Sequence, residues 1–288
     1  MLIASLIYSF LMLAAGISKV ARVRFGLPVL LGLLLPLGPV QWPFSVIAIG
    51  YIGLTWWMQQ PNIPNWQTWP LRLLWFALSA GLFIHALPGY QGLLLAEHAT
   101  VKPGSIAVNL YLNTDKVLVA WSLLSWCPLF APAIKRPWQT PNRHTLLLIP
   151  VGVVALMGLA NILELTHWQP GISAWFWVLL ISNLLNTCVA EELLFRGILQ
   201  RWLADKFSAW LPSGVGDKTG IIAALLLSSV LFGVAHLAAG GLFVLLASLA
   251  GLLYGLVFLL SGRLIYAVLC HWALNMTQLL LLTWPMSA

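Results

Sequence analysis

Charge is what this 288-residue sequence has least of: Asp, Glu, Lys and Arg together make up 7% of it, against 61% hydrophobic residues. Soluble globular chains carry roughly 25% charged residues, so no water-facing surface can be built from this composition. Strand-type alternation is also missing. The apolar runs are continuous in Leu, Ala, Val and Gly, which excludes a barrel and leaves helices to satisfy the backbone hydrogen bonds inside lipid. Cysteine is scarce. Cys127, Cys188 and Cys270 each stand inside an apolar run without metal-ligand spacing, and read as buried free thiols. No His-Glu-x-x-His pair occurs. No basic segment precedes the apolar stretch from Met1 to Ile17, whose positive charges (Lys19, Arg22, Arg24) follow it instead, so a first spanning helix is expected there and not a cleaved signal peptide. The net charge of +7 is scattered in short clusters at the ends of apolar runs. That is a topology signal, and it speaks against a nucleic-acid partner.

What is there in quantity is apolar sequence long enough to cross about 30 Å of hydrocarbon, which takes roughly 20 helical residues. The expected fold is all-α, a polytopic bundle of about 8–10 transmembrane helices in an integral membrane protein. Spans are predicted near 2–17, 27–41, 43–58, 71–87, 117–132, 145–167, 172–190, 220–238, 241–261 and 264–284. With an exterior N-terminus this count puts the clusters Lys19/Arg22/Arg24, Lys135/Arg136/Arg143, Arg196/Arg201/Lys206/Lys218 and Arg263 all in the cytoplasm. It requires a hairpin around Pro39 and Pro43. Gln59 to Pro70 and the exterior connection Pro88 to Lys116 are read as non-spanning, the latter as a solvated loop with a polar anchor (Asn109, Asn113, Asp115, Lys116). Tryptophans 56, 57, 66, 69, 138 and 168 fit an interfacial belt. Nearly all intramembrane ionisable residues lie beyond residue 140, so the chain is divided into an N-terminal transmembrane module of unknown role (1–140) and a chemistry-bearing domain (141–288).

Charges inside a bilayer cost several kcal/mol unless paired or set in a polar cavity, so each marks a candidate site. Three clusters stand out: Glu191-Glu192-Leu-Leu-Phe-Arg196, Phe232-Gly-Val-Ala-His236, and His271-Trp-Ala-Leu-Asn275. At about 100° per residue the two glutamates face different ways, and Glu192 shares a face with Arg196. Arg196 is therefore expected to neutralise Glu192, leaving Glu191 to face a cavity along a stripe with Asn183 and Thr187. His271 and Asn275 share a face of their helix. A hairpin turn centred at residue 213 puts residue 191 level with residue 235, beside His236. The next two turns put residue 236 level with residue 280, nine residues beyond His271, a poor match. Gly251 and Gly255 would let the intervening helix pack closely. A carboxylate and an imidazole holding a water, with a second imidazole and an amide as oxyanion donors, suit amide hydrolysis. The competing reading of these groups is interhelical hydrogen bonding. Glu164 with His167, and the solitary His85, read as structural pairing or snorkelling.

The ordered trio Glu-Glu-x-x-x-Arg, Phe-x-x-x-His and His-x-x-x-Asn resembles the CAAX prenyl endopeptidase and bacteriocin-processing family, the Abi or CPBP intramembrane proteases, over residues 145–284. The resemblance implies that Glu191 and His236 activate the attacking water and that His271 and Asn275 stabilise the tetrahedral intermediate, with Glu192 and Arg196 in support. It further implies a membrane-associated peptide or protein substrate, met in the lipid bilayer. The expected location is a bacterial inner (plasma) membrane. Glu191, His236 and His271 could also coordinate a divalent ion such as zinc with one open position. A glutamate-activated water accounts for the same residues without an ion and is the reading adopted, with no cofactor required. Two alternatives come from other classes: a transporter with a polar cavity, against which stands the lack of paired interrupted helices, and a non-catalytic immunity or scaffold protein.

Overall fold

The computed structural model describes residues 1–38, 40–61, 63–132, 142–210 and 216–288. Lys135, Arg136 and Trp138, and the hairpin turn expected at residue 213, lie outside them. The fold is an all-α membrane protein. Among the described residues, four helices are long and apolar enough to cross a bilayer, His144–Ile162, Phe176–Trp210, Gly241–Ser261 and Leu264–Leu281, and Leu2–Ile17 and Lys218–Val234 are shorter apolar helices. Exposure is inverted relative to a soluble protein. Leu147, Val151 and Val154, on one face of a helix, are each more than 60% exposed, and an apolar stripe of this kind is at rest only against lipid.

The chain forms two compact units that interleave in sequence: Met1–Glu97, Asn109–Trp126 and Leu185–Ala190 in the first, and His98–Val108, Cys127–Leu184 and Glu191–Ala288 in the second. In the first unit, α2 (Leu27–Leu34) packs on α1 (Leu2–Ile17) and α3 (Trp42–Trp57), and α1, α3 and α4 (Asn65–Phe83) pack against α5 (Lys116–Leu123). The hairpin between α2 and α3 is present, with Pro43 in the first turn of α3 and Gly32 against Ile49. α4 begins inside the stretch read as non-spanning and carries Pro70 within it. The expected span at 117–132 is not a span. α5 has eight residues, all buried except its first, Lys116, and at about 1.5 Å per residue it reaches less than half-way across a bilayer. It is centred by polar contacts that hydropathy does not reveal: Ser122 Oγ meets Thr55 Oγ1 at 2.9 Å and accepts from Trp75 Nε1 at 2.9 Å, and Trp121 Nε1 donates to the Arg24 carbonyl.

The connection Pro88 to Lys116 is not a plain solvated loop. It holds a two-stranded sheet, β1 (Leu93–Ala99) with β2 (Val108–Leu112). Asp115 caps α5 and is 1% exposed, because His85 Nδ1 meets its carboxylate at 2.7 Å and Asn113 Nδ2 donates to His85 Nε2 at 3.1 Å. His85 is thus structurally paired, from a left-handed backbone (φ 59°) just past α4.

The second unit holds α6 (Asn142–Ile162), α10 (Gly216–Val234), α11 (Gly241–Ser261), α12 (Leu264–Leu281) and both ends of a continuous helix, Phe176–Trp210, of which only Leu185–Ala190 is assigned to the first unit. That helix is made of α7 (Phe176–Ser182), α8 (Val189–Glu192) and α9 (Arg201–Trp210), joined by π-helical stretches Asn183–Cys188 and Leu193–Gln200. Close approach of α10 and α11 depends on glycine. A Cβ on Gly251 would meet Ser229 O at 3.2 Å, and one on Gly255 would overlap Leu225 and Gln200. The three cysteines are buried and none is in a disulfide. Glu164 and His167 lie in the turn after α6, where His167 Nδ1 bonds the Thr166 carbonyl.

Candidate active site

The site is built from the middle of the long helix outward. Both glutamates sit on α8, a four-residue α-helical segment between the two π-helical stretches. Each π turn takes one more residue than an α turn, and such bulges recur where a helix must aim side chains at a site. The stripe Asn183–Thr187–Glu191, drawn in steps of 100°, therefore does not run straight. Asn183 instead accepts from Asn275 Nδ2 of α12 at 3.1 Å.

Glu192 is completely buried and takes two donors on one oxygen: Arg196 Nη1 at 3.0 Å and His271 Nδ1 at 2.9 Å. Arg196, counted from sequence among the cytoplasmic charges, is no surface residue. It is 0% exposed, its Nη2 donates to the Gly251 carbonyl at 2.8 Å, and its guanidinium carbon lies 4.5 Å from the centroid of Phe232 and 5.3 Å from that of Tyr254. A buried charge needs this kind of enclosure, because water is not there to solvate it. The missing Cβ of Gly251, which would stand 3.1 Å from Arg196 Nη2, makes the approach possible.

His271, on α12, stacks on Tyr254 with centroids 4.7 Å apart and planes 13° apart. A carboxylate only accepts, so His271 Nδ1 is the donor to Glu192, and its Nε2 is the atom left for a ligand. His236 follows α10 as the residue before a short 3₁₀ turn. Its Nδ1 donates to the Phe232 carbonyl at 2.8 Å, which assigns the proton to Nδ1 and leaves Nε2 as an acceptor. His236 and His271, a poor match in the hairpin arithmetic, both meet one side chain. The Phe232 ring lies 4.9 Å from the His236 ring and 5.7 Å from that of His271.

Burial grades across these residues. Glu192, Arg196, His271 and Glu191 are buried, the last at 7%, while His236 and Asn275 are half-buried. The structure thus joins Glu192, Arg196 and His271 directly, gathers Phe232, Tyr254 and His236 about them, and ties Asn275 to Asn183. Among the described residues, no group of three or more His, Cys, Asp or Glu side chains is arranged to hold a metal ion. Sequence reasoning missed Tyr254, the Gly251 carbonyl and the Asn183–Asn275 bond. Tyr254 carries no signal of its own in an apolar run, whereas Asn183 is an intramembrane amide and was open to the same scrutiny as Asn275.

A buried ion pair, two imidazoles and two amides inside an all-helical membrane fold define an integral membrane protein with an enzyme-like polar centre. Residues 173–277 match the family model described as type II CAAX prenyl endopeptidase Rce1-like, a segment that contains all six residues singled out from sequence. The matched segment is well under half of the chain, and over it the chain is similar to that endopeptidase family. No curated protein and no solved structure matches the chain.

Proposed function

We propose that the protein hydrolyses a peptide bond of a membrane-associated substrate with a water activated by Glu191 and His236. The carrying observation is the buried Arg196–Glu192–His271 relay, which fixes one imidazole beside a second whose tautomer is set by the Phe232 carbonyl. In this reading the Glu191 carboxylate takes a proton from water while the hydroxyl oxygen adds to the scissile carbonyl carbon, with His236 Nε2 orienting the water. Asn275, held by Asn183, and His271, through Nε2, donate to the oxyanion. For that His271 carries protons on both nitrogens, with the Glu192 carboxylate as counter-charge. Collapse of the intermediate breaks the C–N bond, and the proton held by Glu191 passes to the leaving amine. Arg196 pairs with Glu192 and aims it. The same residues act without a metal, and residues 141–288 form the catalytic domain of a bacterial inner-membrane enzyme.

The test is Glu191→Gln, which keeps size and hydrogen bonding but removes the proton acceptor. In liposomes with a membrane-anchored reporter peptide, turnover should collapse while the melting temperature stays near wild type. Full cleavage by this variant would overturn the assignment of Glu191 as the base, and no cleavage by the wild type would return the scaffold and transporter readings to first place. A chelator arm divides the mechanisms: metal-free hydrolysis is indifferent to it, whereas activity lost to a chelator and restored by zinc would overturn that part of the reading.

A further inference from the structure

Lys102 lies in a Val-Lys-Pro-Gly turn that from sequence looks solvated, yet it is only 3% exposed. Its Nζ donates to the carbonyls of Leu279 at 2.9 Å and Leu280 at 3.0 Å, in the last turn of α12. The final four carbonyls of a helix have no intrahelical donor. Here each is accounted for: Gln278 O accepts from Leu282 N, Leu280 O also from Gly171 N, Leu281 O from Gln169 N, and Leu279 O from Lys102. A lysine ammonium at a helix C-terminus also meets the negative end of the helix dipole. Burial lowers the Lys102 pKa, so the group is held there against its own desolvation.

The turn is fastened on both sides. Val101 packs with Phe176, Met276 and Leu279, Ser105 Oγ accepts from Trp284 N, and the backbone of 104–106 bonds Met286 and Ala288. This short segment, His98–Val108, belongs to the same compact unit as α12 although it lies far outside the matched region 173–277. α12 carries both His271 and Asn275. Lys102 grips it one turn beyond Asn275, while the other end is tied by Ile265 N to the Leu129 carbonyl.

We infer that Lys102 is a positioning residue for the reaction: it locks the C-terminal end of α12 and so sets the axial placement of Asn275 and His271. The inference rests on the proposed hydrolytic reading. A misplacement of about 1 Å in a catalytic group can cost on the order of 10²-fold in rate, so a small slip of α12 is enough to matter.

The test uses the full-length protein in liposomes and two readouts. Lys102→Met keeps the length and removes the charge and donors. It should lower kcat by about tenfold or more at nearly unchanged KM, and Lys102→Arg should restore a large part. Combined with Asn275→Ala, it should cost less than it costs alone, because the part of its effect that passes through Asn275 is already lost. Hydrogen exchange supplies the arm that is independent of activity. In Lys102→Met, amides of 272–281 should exchange faster while those of α10 and α11 keep their protection. If Lys102→Met does not fold, Lys102→Gln, which retains one donor, carries the same measurements. Wild-type kcat in a folded variant, a fully multiplicative double mutant, or a uniform rise in exchange across the helices would each overturn the inference. Loss of the hydrolytic reading shows separately, as unchanged cleavage by Glu191→Gln.

Discussion

Replacing Arg196 with methionine probes the centre of the site most directly. The substitution keeps an unbranched side chain against Phe232 and Tyr254 but removes the charge that faces Glu192 at 3.0 Å and the donor that reaches the Gly251 carbonyl at 2.8 Å. Both partners are fully buried. Removing one member of such a pair leaves an uncompensated charge and costs about 3–5 kcal/mol. The stranded Gly251 carbonyl adds about 1–3 kcal/mol, not fully additive with the first loss. At about 2–4 °C per kcal/mol for a chain of this size, the melting temperature should fall by about 10 °C or more. Fluorescence-detected size-exclusion chromatography after graded heating in detergent measures this on small amounts. The double variant Arg196→Met/Glu192→Gln removes both charges and should melt above the single variant, because a neutral pair has no unpaid desolvation. It should still be impaired in cleavage, since a neutral amide holds His271 less firmly than a carboxylate does. An Arg196→Met protein that melts with the wild type, or a double variant less stable than the single, would refute the reasoning that this pair is buried and interdependent.

Asn275→Ala should retain residual activity, because loss of one oxyanion donor costs about 2.7–4 kcal/mol of transition-state stabilisation, or on the order of 10²- to 10³-fold in kcat. If Asn183 acts by orienting Asn275, then Asn183→Ala should lower kcat in the wild-type background and change little in the Asn275→Ala background, a double-mutant cycle that independent effects would leave additive. Tyr90 predicts an alkaline limb. Burial, and then the Asp115 carboxylate, hold its phenol protonated well above the ordinary value of 10.0. Unfolded chains therefore lose that proton first, so the contribution to stability is complete below pH 10 and declines as pH rises beyond it. Melting temperatures scanned across that range should show a shallower decline in Tyr90→Phe, with a lower plateau from the lost acceptor of the Thr114 amide, and an identical slope would contradict the assignment.

Much of this was legible before any coordinates, and the reasons are particular. A chain with 7% charged residues has one solvent available to it, and the membrane class follows from that alone. The Glu192–Arg196 pairing was legible because an i, i+4 pair is a local property that survives the altered winding around it. The close approach at Gly251 and Gly255 was legible from spacing, since a missing Cβ has the same consequence in any helix pair. The span at 117–132 was misread because hydropathy scores lipid-facing and protein-buried residues alike. α5 is apolar because protein surrounds it on all sides, not because it crosses.

Sequence by itself determined the solvent, the helical class and the choice of the six candidate residues from Glu191 to Asn275. These depend on composition and on contacts within a turn or two of helix. Tertiary structure decided what each residue touches: that His271 answers to Glu192, that Asn183 holds Asn275, that Phe232 spans the gap to His236, and that Lys102 caps α12 from 177 residues away. No periodicity encodes these contacts, because each depends on where π turns, helix ends and buried carbonyls fall once separate segments pack. A buried polar group has to find its partner wherever the fold brings one.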